Sequence, residues 1–358
     1  MCMTARHSLC YSLLLASISV TLSCGGGGGS SSKVLPPLQT DVYVAGFEEN
    51  DSNGLFAKYW KNGVPVPLGA GTFGYATSIA VSGSDVYVAG IQGGSATDVA
   101  TFWKNGVPVS LTDGINRGFA HAIVVDGNDV YVAGAEMITV NGLFGSVAKY
   151  WKNGIPVALT DGKNPAEAMS ILVSGSDVYV AGYENRTTQV SPSQFVTEAV
   201  AKYWKNGVAT DLSDGLSFAM ANSIVLSGND VYVAGQRCQT VSSSCDVATY
   251  WKNGNPVPLT TQTPSYASSI VVSGSSVYVA GNTLSAPSFA DVWKDGGFTQ
   301  LTPETTPSYA NQIAVAGSDV YVAGAKNSVA GYWKNDSFVP VTDGTHNAYG
   351  YAMTVVQH

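Results

Sequence analysis

One six-residue string recurs along almost the entire chain. DVYVAG begins at Asp41, Asp85, Asp129, Asp177, Asp230 and Asp319, and SVYVAG begins at Ser276. Successive copies lie 44, 44, 48, 53, 46 and 43 residues apart. A second string, YWKNG or a close variant, follows each copy and carries Trp60, Trp103, Trp151, Trp204, Trp251, Trp293 and Trp333, every Trp in the chain. A third string of the form A-x-S-I-x-V precedes most copies, as in Ala76–Val81. A period of this length with four apolar runs per unit is the pattern of a repeat architecture, and it is sought before any residue-level reading.

Each unit reads as four short strands: run one like 75–81, run two like 85–90, run three like 99–104 and run four like 107–111. A Gly-containing turn such as Ser82-Gly83-Ser84 separates runs one and two. Asn-Gly, Asp295-Gly296 or Asn335-Asp336 separates runs three and four. Asn-Gly accepts the two positive φ angles of a type I′ hairpin turn. Four antiparallel strands about every 45 residues is the signature of a propeller blade. The first unit starts on run two at Asp41, and the chain ends on an unpaired run one, Tyr351–Val356. The C-terminal strand therefore completes the first blade, and closure removes the exposed sheet edges of an open array. The expected fold is all-β: a seven-bladed propeller over residues 41–358, four antiparallel strands per blade.

The pattern I-A-V, a turn, then V-Y-V-x-G, seen at Ile79-Ala80-Val81 and Asp85–Gly90, resembles the bacterial beta-propeller repeat family over all seven units. That resemblance implies the fold and no particular activity, because propellers host unrelated functions.

The N-terminus reads as an address. Residues 1–24 place Arg6 before an apolar stretch from Leu9 to Leu22 that is too short to span a bilayer, and end at Cys24. This resembles a bacterial lipoprotein signal, which implies lipidation of Cys24; the alternative is an ordinary cleaved signal peptide with an incidental Cys. Residues 25–40, rich in Gly, Ser and Pro, read as a tether. The chain is expected to be exported and held on the cell envelope, at the outer membrane, by a lipid anchor, and to act as a monomer. Cys238 and Cys245 sit in one loop, and in an oxidising compartment they read as a disulfide.

The net charge is −8, which argues against a nucleic-acid partner. The four His are scattered, and neither a metal centre nor a cofactor is expected. No G-x-S-x-G, H-E-x-x-H or Walker loop occurs, so the sequence reading is that the chain is not an enzyme. Trp and Tyr at fixed strand positions read as packing between blades.

Strand direction sorts the connections onto two faces. The turns between runs one and two and between runs three and four share the bottom. The connections from run two to three, and from run four to the next run one, share the top and vary between units. Variable loops on a rigid scaffold carry specificity. The candidate binding residues are therefore on top: Glu48, Glu49, Glu136 and Glu184 in the connections from run two to run three; Asp113, Asp161, Asp214 and Asp343 in Asp-Gly turns; and His121 near the axis. His121 belongs to a run-one position that changes between units: Thr77, His121, Met169, Asn222, Ser268, Asn311 and Met353. The function expected is a membrane-tethered, non-catalytic propeller that binds a protein or glycan partner through this face. The alternative is a carbohydrate-active propeller, a lectin or a glycosidase.

Overall fold

The computed structural model describes residues 39–358 except 53, 70–72, 95–96, 141–142, 192–193, 239–246 and 261–263. These residues form seven separate four-stranded antiparallel sheets. Sheet two is typical: β4 (Gly74–Ser82), β5 (Asp85–Gly94), β6 (Thr97–Lys104) and β7 (Val107–Ser110), in that order. Each first strand contacts the first strands of both neighbouring sheets, and the series returns from the last to β4, so the blades form a closed ring around an axis. The fourth strand of each blade is the exposed outer rim.

The ring closes as the sequence implied. Blade 1 is ordered β28 (Ala348–Gln357), β1 (Thr40–Glu49), β2 (Leu55–Lys61), β3 (Val64–Pro67). The start of blade 1 and the C-terminal strand meet at the bottom, where Gln39 and His358 exchange two backbone hydrogen bonds of 2.8 and 3.0 Å.

Each recurring residue has a task. The seven Trp are at most 1 % exposed and pack against the preceding blade, as Trp103 does among Tyr43, Ala45 and Val88. The Gly that ends V-Y-V-A-G stands opposite a β-bulge in the inner strand. A Cβ on Gly134 would sit 1.8 Å from the carbonyl oxygen of Phe119, so no other residue fits without moving backbone. The Asn-Gly turns have positive φ at both positions, as at Asn62 (50°) and Gly63 (80°). The Asn side chain then latches the hairpin: Asn105 Oδ1 accepts from the Val86 N–H at 2.9 Å, and its Nδ2 donates to Asp85 at 2.8 Å. Lys104 pairs with the same carboxylate at 2.8 Å and lies over the Tyr87 ring. The Lys104 and Asn105 hydrogen bonds hold the Asp85 carboxyl below the usual range. Blade 6 keeps the turn with exchanged parts: Asp295 accepts the N–H of Val277 at 2.8 Å where other blades use Asn.

Residues 1–38, with Cys24, lie outside the described residues, as does Cys245. Cys238 accepts a hydrogen bond from Ser217 through its carbonyl at 3.0 Å. Among the described residues no helix is long and apolar enough to cross a membrane.

Candidate functional site: the top mouth of the central channel

Inner strands start at the top, so their first residues surround the channel mouth. Each bulge leaves one inner-strand residue without a cross-strand partner. Those residues are Thr77, His121, Met169, Asn222, Ser268 and Asn311, as the sequence column suggested. Blade 1 differs. Its bulged residue is Tyr351, between Gly350 and Ala352, and Met353 is 2 % exposed in the core with Val44 and Trp60. The expected place of Met353 at the channel is corrected accordingly. The cause is that Gly350 and Met353 take the positions held by Ala76 and Ile79 in blade 2, shifting the apparent alignment by two.

The bulged residues tie blades together. Thr77 Oγ1 donates to the Ala120 carbonyl at 2.7 Å, Asn222 Nδ2 to Ala267 at 2.9 Å, and Asn311 Nδ2 to Gly350 at 2.8 Å. His121 does something else. Its Nε2 lies 3.0 Å from Oε2 of Glu167 on the inner strand of blade 4, β12 (Ala166–Ser174). Tyr183 on the next strand also hydrogen-bonds Glu167. Burial pushes this carboxyl up, but the His121 hydrogen bond and charge, with Tyr183, outweigh burial and hold it below the usual carboxylate range. Burial and the adjacent carboxylate push the Tyr183 hydroxyl up. Phe119 stacks parallel to the His121 ring, 6.2 Å between centroids.

Two residues before each bulge, a second ring of side chains stands at the mouth: Tyr75, Phe119, Glu167, Met220, Tyr266, Tyr309 and Tyr349, each half-buried. They divide into two arcs. Blades 6, 7, 1 and 2 supply aromatic rings. Tyr309 and Tyr349 lie 6.0 Å apart, Phe47 and Tyr349 5.4 Å, and Tyr75 and Tyr351 6.3 Å. Blades 3 to 5 supply Phe119, His121, Glu167, Met169, Met220 and Asn222, so one aromatic ring stands in this arc too, stacked on His121. The arcs face one another across the axis. Burial first, then Asp98 of the same blade and Glu167 of the opposite arc, raises the Tyr75 hydroxyl, with Arg117 opposing. Burial and the nearby Tyr75, Tyr349 and Tyr266 push Tyr351 up to about 12. Arg117 itself is committed to Asp98, which both its Nε and Nη2 contact.

The top-loop acids are elsewhere and are internally satisfied. Glu48 pairs with Lys58, Glu136 with Lys149 at 2.6 Å, and Glu184 with Lys202 at 2.6 Å. Glu49 accepts from Asn347 at 2.9 Å. Asp113, Asp161, Asp214 and Asp343 each accept the backbone N–H two residues on, at 2.9–3.0 Å, which is turn-forming geometry. Of the sequence candidates, only His121 reaches the channel mouth. Sequence spacing does not disclose Glu167, which stands 46 residues from its partner; its one signal is that it is the only acid in a column otherwise aromatic or Met.

Two top hairpins rise beyond the rest, β9–β10 (Asp129–Val140, Leu143–Lys152) and β13–β14 (Asp177–Ser191, Gln194–Lys205). They belong to blades 3 and 4, which carry His121 and Glu167. Near the tip of the second, Phe195 is 61 % exposed.

No protein-family model and no curated protein sequence matches the chain. Solved structures do resemble it. It is similar to a Pyrococcus horikoshii acylaminoacyl peptidase (12 % identity, TM-score 0.49, 85 % of this chain and 50 % of that one). It is also similar to the β-propeller domain of the Trilobed protease from Pyrococcus furiosus (9 %, 0.41, 76 % and 99 %). A third is a thermostable family-43 glycoside hydrolase (11 %, 0.39, 66 % and 95 %). The chain spans half the length of the acylaminoacyl peptidase. Likeness at this identity shows the propeller fold alone. It does correct one expectation. The expectation that the chain is not an enzyme does not stand: the solved structures similar to it are named as a peptidase, a protease domain and a glycoside hydrolase.

Proposed function

We propose that the protein binds a carbohydrate at the top mouth of its central channel. The observation that carries this reading is the facing pair of arcs: half-buried Tyr75, Tyr309 and Tyr349 on one side, His121 hydrogen-bonded to an ionised Glu167 on the other. Sugars present apolar C–H faces that pack on aromatic rings and hydroxyls that need convergent donors and acceptors. An aromatic wall opposite a few fixed polar groups supplies both. The Tyr183–Glu167–His121 chain also places a proton donor and acceptor at the same point.

A glycan array with the purified protein, followed by chromogenic glycosides of each sugar that binds, tests the reading and asks at once whether bound sugar is turned over. Loss of binding in Tyr75→Ala and Glu167→Gln supports the channel mouth; array binding that both variants retain refutes it. A second reading is favoured by one feature, exposed Phe195 on the raised blade-4 hairpin, which suits a protein partner on the top face. Phe195→Ala separates the two.

The chain is further proposed to act on the cell envelope, held by lipid on Cys24. Cys24→Ser should release the protein from membranes and abolish fatty-acid labelling without changing its melting temperature.

A further inference from the structure

We propose that the bottom rim of blades 1 to 4 rests on the lipid bilayer, turning the channel mouth away from the membrane. The inference rests on the lipid anchor at Cys24, itself a proposal. It adds a surface, an orientation and a lipid chemistry that the anchor does not imply.

The topology fixes where the chain leaves the ring. β1 starts at the bottom and rises, so Thr40 and the backbone before it depart from the bottom face of blade 1. Residues 25–38 separate that point from Cys24. Fully extended at about 3.3–3.6 Å per residue, such a segment reaches at most about 50 Å. A lipid on Cys24 therefore keeps the bottom face near the bilayer, and a weak apolar surface suffices because the tether raises its local concentration.

That surface exists and is lopsided. The residue immediately after the bottom hairpin turn is Val64, Val107, Ile155 and Val208 in blades 1 to 4, exposed by 64, 64, 69 and 71 %. In blades 5 to 7 the same place holds Asn255, Gly297 and Ser337, and the exposed apolar side chain nearest the turn there is Phe298 of blade 6, one residue further on and 54 % exposed. The apolar arc thus begins at the blade from which the tether leaves and runs through three consecutive neighbours.

Charge selects the lipid. Lys61, Lys104, Lys152 and Lys205 lie beside these residues, but each is paired at 2.8 Å with Asp41, Asp85, Asp129 or Asp177. The rim therefore offers no free cationic field, and the net charge of −8 disfavours anionic surfaces. The partner that fits is an uncharged or zwitterionic lipid surface met by aliphatic side chains.

The test uses the lipidated full chain in phosphatidylcholine vesicles containing a phosphatidylcholine with a diazirine in its acyl tail. Irradiation and peptide mapping should mark segments containing Val64, Val107, Ile155 and Val208, and leave those containing Asn255, Ser337 and Phe195 unmarked. The quadruple variant Val64→Asp, Val107→Asp, Ile155→Asp, Val208→Asp should still float with vesicles while its labelling falls at least tenfold. The matching quadruple Ser variant guards against misfolding, with melting temperature as control. Labelling at Phe195, or none on protein that floats, overturns the docking and leaves the anchor standing. Protein that carries no lipid and does not float overturns both. Replacing half the lipid with phosphatidylglycerol should not raise the labelling; a several-fold rise overturns the assigned lipid chemistry.

Discussion

Met353→Ala decides whether the C-terminal strand closes the ring through a packed core. Met353 is 2 % exposed, lies on β28 and packs with Val44, Trp60 and Tyr321 at the seam between blades 7 and 1. Truncating a buried Met to Ala removes apolar contact and leaves a cavity, at about 2–5 kcal/mol. The propeller spans 318 residues (41–358). At about 2.1 cal/mol/K per residue its unfolding entropy is near 0.7 kcal/mol/K, so each kcal/mol shifts the midpoint by about 1.5 °C. The expected fall in melting temperature is therefore about 3–8 °C by calorimetry. A side chain lining an open channel would cost well under 1 kcal/mol, and a fall of less than 1 °C would refute the assignment of this seam.

Trp204→Ala should cost about 3–5 kcal/mol in urea titration, since its ring is 1 % exposed, while Asp161→Ala and Asp214→Ala at exposed turns should each cost less than about 1 kcal/mol. Gly134→Ala places a Cβ 1.8 Å from the Phe119 carbonyl; it should destabilise by more than about 2 kcal/mol and, by moving the bulge, weaken ligand binding as His121→Ala does, with unchanged stability contradicting the bulge role. Asp291 is fully buried, its Oδ1 has no partner among the described residues, and burial raises its pKa from 3.8 to about 6. A raised carboxyl favours the folded state less as pH climbs from below 4 through 6, so Asp291→Asn should stabilise by up to about 3 kcal/mol at pH 7.5 and by nothing near pH 3.5. Chemical denaturation at the two pH values checks this, and an equal effect at both would refute it.

The fold was legible because its determinants are local and repeated. The positive-φ Asn-Gly turns, the Gly opposite each bulge and the Trp between blades recur in register, and the split first unit disclosed closure. The site was less so, since its residues meet only across blades. His121 and Glu167 become neighbours when the ring brings inner strands together, which no local spacing announces. The top acids drew attention as charges, yet their partners Lys58, Lys149 and Lys202 stand on the adjacent strand, two residues before each Trp, and neutralise them. Tyr351 escaped notice because Gly350 replaces the recurring Ala beside it.

The central claim, a sugar held between the two arcs, is met most directly by titration calorimetry of an array-identified glycan into the parent, Glu167→Gln and Asp161→Ala proteins. A hydrogen bond to a charged group is worth about 1.5–3 kcal/mol. The account predicts that Kd rises about 10- to 100-fold in Glu167→Gln, measured well below its melting temperature, and stays at the parent value in Asp161→Ala. Parent affinity in Glu167→Gln, with loss on Phe195→Ala instead, would contradict it and move the site to the raised hairpin.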